Sequence, residues 1–155
     1  MIETPQLLQT QTQLTAIIRL QIPKHEIQQA MGAGLQELHA AVAAQNIAAP
    51  GPWFTHHLKM SPSTWDFEIC LPVTKTVRAV GRVEASEWSA MKVARTVYHG
   101  DFGGLGDAWG ELASWMKTQG HAAASDLWEC YLVGSESSQE PSAWRTQLNR
   151  PLLTI

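Results

Sequence analysis

The chain has 155 residues, 45% of them hydrophobic, and a formal net charge of −3 at pH 7. This length corresponds to one domain, and the apolar fraction is enough to bury a core without metals or disulfides. The basic residues are scattered, which argues against a nucleic-acid-binding surface. The N-terminus has no signal-peptide pattern, and no apolar run approaches the roughly 18 residues that a membrane span needs, so we expect a cytoplasmic protein.

The cysteine, histidine and tryptophan residues indicate which kinds of functional site to expect. Cys70 and Cys130 lie in apolar strand-like runs and are interpreted as buried thiols in a reducing compartment. The adjacent His56 and His57 would point to opposite faces of a strand, so we expect no metal site, and no cofactor is implied. The seven Trp residues exceed the usual share. Much of this surplus is core packing, but such rings also suit a site for flat or cationic molecules.

The first half of the chain predicts the order strand, helix, strand, strand. The first strand ends at Pro23, and apolar positions then recur every three or four residues over 24–45, as in an amphipathic helix. Gly32 and Gly34 weaken the middle of this helix, so a kink or a two-part helix is an alternative. The strands are predicted at residues 15–22, 53–60 and 64–73, the last two joined by a turn at 61–63.

The second half repeats this order. A Gly-rich loop at 100–106 leads into a helix that Asp107 caps and that runs to about Gln119, with Gly120 as its stop. The loop lacks the lysine and the spacing of a phosphate-binding motif. The polar segment 135–142 is interpreted as a connection, since too little chain follows it for a second domain. The strands are predicted at residues 90–99, 127–134 and 144–152.

An offset of 74 residues lays one half of the chain on the other. Because the identity between the halves is thin, the repeated element order is the stronger indication of a duplicated unit. We therefore predict one α+β domain over 1–155, made of two pseudo-symmetric β-α-β-β units. It has an antiparallel sheet with both helices on one side and a ligand cleft on the other. The offset aligns Leu38 with Leu112, Thr55 with Glu129, and His57 with Tyr131.

Glu129 is the main candidate for a functional residue. Alternation along its strand places Glu129 and Tyr131 on one face and Trp128, Cys130 and Leu132 on the other. The second face is apolar, so we expect it to meet the helices, and Glu129 and Tyr131 to face away from them. Two interpretations stay open. One is a solvated carboxylate on an exposed sheet; the other is a carboxylate at the floor of an aromatic cleft, which would attract a cation or a strong hydrogen-bond donor.

Further candidates to line the cleft are aromatic or titratable residues near predicted strand ends and loops. For each, a purely structural role is the alternative. His57 is the counterpart of Tyr131, Trp109 lies on the apolar stripe of its helix, and Glu68 is either solvated or a second cleft carboxylate. Loops at the mouth of a cleft often gate it, which brings in the residues beside the Gly-rich loop. The full set is Trp53, His57, Glu68, Tyr98, Phe102, Trp109 and Trp144.

Four segments in order resemble GyrI-like domains, over about residues 12–153. They are DFEICLPV, VYHGDFGGLGDAWGELASWMKTQGH, DLWECYLVG and PSAWRTQLNRPL. The resemblance implies the two-unit fold of the effector-binding domains of AraC-type and MerR-type regulators, which also occurs alone in gyrase inhibitors and drug-binding modules. In drug-binding members a glutamate on the penultimate strand anchors cationic, aromatic ligands; Glu129 matches it, and Tyr131 matches a pocket-lining position. We expect a stand-alone member, because no DNA-binding segment is attached.

The resemblance and the residues together favour a binding module for hydrophobic, cationic or aromatic small molecules, anchored by Glu129. The alternative is a hydrolase of cyclopropane-bearing electrophiles, with Glu129 as general base and Tyr131 or His57 donating to the developing oxyanion. A second alternative is a gyrase-inhibitor-like protein. The expected partner is a small hydrophobic or cationic ligand, with no nucleic acid and no membrane, and homodimer formation is left open.

Overall fold

The computed structural model describes residues 2–50, 52–60, 63–133 and 139–153. The predicted turn residues 61 and 62, the predicted strand end at Gly134 and residues 135–138 of the polar segment lie outside this part. The chain divides into two compact units. Unit A is Gln11–Ala90, and unit B combines Met1–Thr10 with Met91–Ile155.

The described residues form eight strands and two α-helices, with short 3-10 turns before each helix and before the last strand. The helices are α1 (Ile27–Ala44) and α2 (Leu105–Thr118). Neither is both long and apolar enough to cross a membrane, as far as the described residues go. The strands are β1 (Gln6–Gln9), β2 (Gln13–Pro23), β3 (Phe54–Met60), β4 (Thr64–Pro72), β5 (Glu84–Trp88), β6 (Lys92–His99), β7 (Leu127–Val133) and β8 (Arg145–Pro151).

Unit A is an antiparallel sheet in the order β5-β2-β4-β3, with α1 packed on β2 and β4. The helix is continuous, so the alternative of a two-part helix is wrong. Gly34 instead lies where the helix comes closest to the sheet: a Cβ atom there would stand 2.5 Å from Cδ1 of Ile69. The core between helix and sheet is built on fully buried side chains that include Ile18, Leu38 and Phe67.

Unit B repeats this plan as an antiparallel sheet in the order β1-β6-β8-β7, with α2 packed on β6. The α+β class and the β-α-β-β order of both units are therefore confirmed. The helix begins at Leu105, two residues before the predicted cap, because Asp101 caps the preceding 3-10 turn through the backbone N–H of Gly103 at 3.1 Å. Asp107 lies in the first turn of α2, and Gly120, at φ +76°, follows the helix end as expected.

Two strands were not predicted, and both are edge strands. β1 pairs only with β6 and β5 pairs only with β2, among the strands described. Their side chains are mostly exposed, so their sequences, QLLQ and EASEW, carry little of the apolar alternation that marks a half-buried strand. Each adds an outer strand beside the first strand of its unit.

Candidate functional site

Glu129 faces helix α2. It lies opposite Leu148 of β8, and Tyr131 lies opposite Thr146, so these side chains share one face of the sheet. Leu148 belongs to the core that packs against α2, together with Leu112. The expectation that Glu129 and Tyr131 face away from the helix is wrong. Residues 127–131 are all buried, so alternation separates the two faces of β7 without showing which one meets the helix.

The opposite face of unit B carries both apolar and polar side chains. Trp128 lies in register with Asn149 and Arg95, and Arg95 Nε donates to Asn149 Oδ1 at 2.6 Å. Burial lowers the pKa of Arg95. Burial also raises the pKa of the Cys130 thiol to about 11, against a smaller lowering by Arg95. Leu132, expected to meet a helix, is 40% exposed.

The carboxylate of Glu129 is sheltered and hydrogen-bonded at both oxygens. The residue is 9% exposed. Trp109 Nε1 donates to Oε2 at 2.8 Å, and the Tyr131 hydroxyl donates to Oε1 at 2.9 Å. The solvated-carboxylate interpretation is therefore wrong. These two hydrogen bonds fix the orientation of the carboxyl group between the strand and the helix.

Aromatic rings continue outward from this carboxylate. Phe102 meets Tyr131 edge-on, with ring centroids 6.0 Å apart, and lies 4.8 Å from the ring of Trp144. Phe102 comes from the 3-10 turn before α2 and Trp144 from the residue before β8; both are half-buried. We call Phe102, Trp109, Tyr131 and Trp144 the aromatic cluster. It joins a buried anion to side chains that reach the surface.

Tyr98 supports the loop behind this cluster. It is 6% exposed and packs in the core under α2. Its hydroxyl lies against Gly100 and Gly104: a Cβ atom at Gly100 would stand 3.0 Å from it, and one at Gly104 would overlap it. Tyr98 therefore holds the turn that carries Phe102, and the two glycines are what allow the turn to lie over the ring.

The remaining predicted residues belong to unit A. His57 is 2% exposed, stacks on Phe67 with centroids 5.6 Å apart, and shares a 2.9 Å hydrogen bond between its Nε2 and Thr55 Oγ1. Trp53 packs against the same core. Glu68 lies on the other face of the sheet, where its Oε1 is 3.2 Å from His56 Nδ1. Within unit A, His57 and Trp53 contribute to the core, and Glu68 is half-buried rather than solvated.

Each unit has a hollow among its described residues. A hollow of about 220 Å³ in unit B is lined in part by Trp109, Leu112 and Met116. A hollow of about 660 Å³ in unit A lies between α1 and residues 78–83, and no predicted site residue lines it. Although the second hollow is larger, we place the candidate site at Glu129, because a buried, hydrogen-bonded carboxyl group beside several aromatic side chains is a stronger mark of binding than volume alone. The link between Glu129 and Trp109 spans strand and helix, so no local pattern in the sequence could have shown it.

Comparisons with known proteins show the fold. No protein-family model and no curated protein matches the chain. The C-terminal domain of EcmrR is 18% identical with a TM-score of 0.82 and 98% coverage of both chains. In an EcmrR–DNA complex the TM-score is 0.85 at 17% identity, and the match spans 98% of this chain and 58% of the EcmrR chain.

Two further solved structures are of a hydrolase and of a protein with a bound ligand. A hydrolase from Listeria innocua has a TM-score of 0.71 at 13% identity, with 96% of this chain and 91% of that chain covered. SAV2435 bound to tetraphenylphosphonium has a TM-score of 0.64 at 10% identity, with 97% and 94% covered. The chain thus shares its α+β fold with the C-terminal domain of EcmrR, a hydrolase and a protein solved with an organic cation.

Proposed function

We propose that this chain is a binding module for hydrophobic cations with aromatic groups, and that Glu129 is their anchor. The observation that carries the proposal is the carboxylate itself, 9% exposed and held by Trp109 Nε1 and the Tyr131 hydroxyl. A charge removed from water gains more from an opposite charge than one at the surface does. A cationic ligand therefore stabilises this arrangement more than a neutral ligand of the same shape.

The aromatic cluster supplies the second half of the recognition. Ring faces attract cations through their quadrupole, and ring edges and faces pack against aryl groups. Phe102 and Trp144 lie on irregular segments and are half-buried, so they are the side chains that a ligand would displace to approach Glu129. Tetraphenylphosphonium, the ligand of the structural neighbour SAV2435, combines one positive charge with four phenyl rings. Its chemistry is complementary to Glu129 and the aromatic cluster.

The test is Glu129→Gln, which keeps the side-chain shape and removes the charge. We expect the affinity for tetraphenylphosphonium, measured by isothermal titration calorimetry, to fall about 5- to 150-fold, equivalent to about 1–3 kcal/mol. The matched control is Glu111→Gln on the exposed face of α2, which should bind within about twofold of the unchanged chain. Triphenylphosphine oxide, neutral but aromatic, should show little difference between the two variants. Equal tetraphenylphosphonium affinities for Glu129→Gln and Glu111→Gln would rule out the anchor.

A hydrolase is the second candidate, favoured by the 2.9 Å contact between the Tyr131 hydroxyl and Glu129. A carboxylate beside a hydroxyl donor can take a proton from water while the donor stabilises the opening electrophile. On a cyclopropane-bearing alkylator, the water oxygen would bond to a ring carbon as one ring C–C bond breaks, and the proton would return to the released carbon. Incubation followed by mass spectrometry decides: a water adduct formed over many turnovers supports the enzyme, and stoichiometric binding without product supports the module.

A further inference from the structure

The hollow beside α2 in unit B is lined in part by apolar side chains. They include Leu112 and Met116, both almost fully buried, and the half-buried Trp109. Its volume is about 220 Å³. A dry cavity of roughly 150 Å³ is enough to hold a benzene ring, so this hollow accommodates one aromatic ring with a small substituent.

Two permanently cationic side chains, those of Lys117 and Arg150, also line this hollow, together with His121. Lys117 lies at the end of α2, His121 in the following loop and Arg150 in β8. Arg150 Nε donates to the carbonyl of Ala124 at 3.0 Å, which holds the guanidinium in place, while its terminal amino groups carry further donors. Burial lowers the pKa of Arg150, and Asp126 partly offsets this. A partly desolvated guanidinium gains from an added anion.

We infer that this hollow binds a small aromatic carboxylate, with the ring on Leu112 and Met116 and the carboxylate between Lys117 and Arg150. The charge it selects is opposite to the charge selected at Glu129, so it is a separate site for a separate class of ligand. Asp126 is the acidic group close to Arg150, but it is not among the residues that line the hollow. The lining charges therefore favour an anion. Trp109 belongs to both places, since its Nε1 donates to Glu129 while its ring borders the hollow.

The first test uses the full chain and three probes of one shape. Phenylacetate, phenylacetamide and phenethylamine differ mainly in charge. Calorimetric or ligand-observed NMR titration should rank phenylacetate at least about fivefold tighter than phenylacetamide, with phenethylamine weakest at this site. Raising the salt concentration should weaken phenylacetate and leave phenylacetamide nearly unchanged. Equal affinities for the three probes, or no binding of phenylacetate at millimolar concentration, would overturn the inference.

The second test alters the hollow. Ala113→Leu places a side chain into it and should weaken phenylacetate about tenfold or more, while Ser114→Leu, the next exposed position of α2 outside the lining, should not. Lys117→Gln should weaken it about two- to fivefold, against no change for Lys92→Gln at an exposed strand position. If Ala113→Leu and Ser114→Leu bind phenylacetate equally, the site is not this hollow.

A last arm separates this inference from the proposed function. Glu129→Gln should leave phenylacetate affinity within about threefold, because Glu129 does not line the hollow. Conversely, Lys117→Gln should leave tetraphenylphosphonium affinity unchanged. A loss of both ligands in either variant would mean that one site serves both, and would refute the separate anion site.

Discussion

Units A and B follow one plan at the level of single residues. In each unit an edge strand, β5 or β1, pairs with the strand that precedes the helix, β2 or β6. That strand pairs in turn with β4 or β8, and β3 or β7 lies beyond it. The offset of 74 also aligns a break in strand pairing: the register shifts between His57 and Lys59 in β3 and between Tyr131 and Val133 in β7. The shared bulge supports the repeat far better than the thin sequence identity does, because a bulge changes the direction of every side chain that follows it.

The units differ in the polar pair that precedes this bulge. In unit A, Thr55 and His57 share a 2.9 Å hydrogen bond; in unit B, Tyr131 donates to Glu129 over the same distance. Both pairs face the helix of their own unit, since Thr55 lies opposite the core residue Ile69. The plan therefore accepts a buried polar pair at this position when its members are hydrogen-bonded to each other. In unit B the pair includes a carboxylate, and this turns a structural position into a candidate binding site.

The first prediction tests whether the two cores are equivalent, and it has the largest expected effect on stability. Leu38 of α1 and Leu112 of α2 are equivalent and 0% and 1% exposed. We expect Leu38→Ala and Leu112→Ala each to lower the free energy of unfolding by about 2–5 kcal/mol, through lost burial and the cavity left behind. Urea unfolding measures this, with Glu111→Ala as an exposed control within about 0.5 kcal/mol. A cost below about 1 kcal/mol for either leucine would show that the two helices do not play equivalent roles.

The polar pairs should differ in strength. Tyr131→Phe removes a hydrogen bond to a carboxylate and should cost about 1.5–3 kcal/mol, whereas Thr55→Val removes a hydroxyl contact to an imidazole and should cost about 0.5–1.5 kcal/mol. Both substitutions nearly conserve volume. Urea unfolding of the two variants at pH 7 gives the comparison. If Thr55→Val costs as much as Tyr131→Phe, the charge of Glu129 adds nothing to its hydrogen bond, and the two pairs are energetically alike.

Much of this plan could be predicted from the sequence, because it rests on periodicity. The apolar spacing around Leu38 and Leu112 predicted both helices with their buried faces, and alternation predicted the strands that are buried. The strands β1 and β5 were not predicted, because edge strands pair on one side only and expose most of their side chains. The packing role of Gly34 could not be predicted, because the Ile69 side chain that it lies against belongs to another element.

The sequence predicted which residue lies at the centre of the candidate site, but not which face of the sheet that residue is on. A lone carboxylate inside an apolar strand identified Glu129, and its burial among rings follows that expectation. Its helix-facing side was not predictable, because Trp128 and Cys130 are buried on the opposite face and make both faces look like core. The partner Trp109 was assigned to the helix core, where its ring does pack. Its indole N–H nevertheless reaches the carboxylate, and that contact depends on how α2 is seated on the sheet.

The smallest expected effect is a dependence of stability on pH, which the buried thiols Cys70 and Cys130 cause, one in each unit. Burial raises the pKa of Cys130 to about 11 from an ordinary 9.0, and raises that of Cys70 well above 9.0, with Glu68 adding to the effect. Between pH 9 and 11 the unfolded chain loses a proton that the folded Cys130 keeps, so stability falls as pH rises through this window. For Cys130 the loss between pH 8 and pH 10 is on the order of 1 kcal/mol.

Urea unfolding of Cys130→Ala and Cys70→Ala at pH 8 and pH 10 isolates these losses, since every other titrating group is common to the variants. Relative to the unchanged chain, each variant should gain stability between the two pH values. The gain should be at least as large for Cys70→Ala, because Glu68 raises that pKa further while Arg95 partly lowers the pKa of Cys130. Curves that run parallel from pH 8 to pH 10 would mean that the thiols ionise as freely in the folded chain as in the unfolded one. A larger gain for Cys130→Ala would instead show that the Cys130 thiol is the more strongly desolvated of the two.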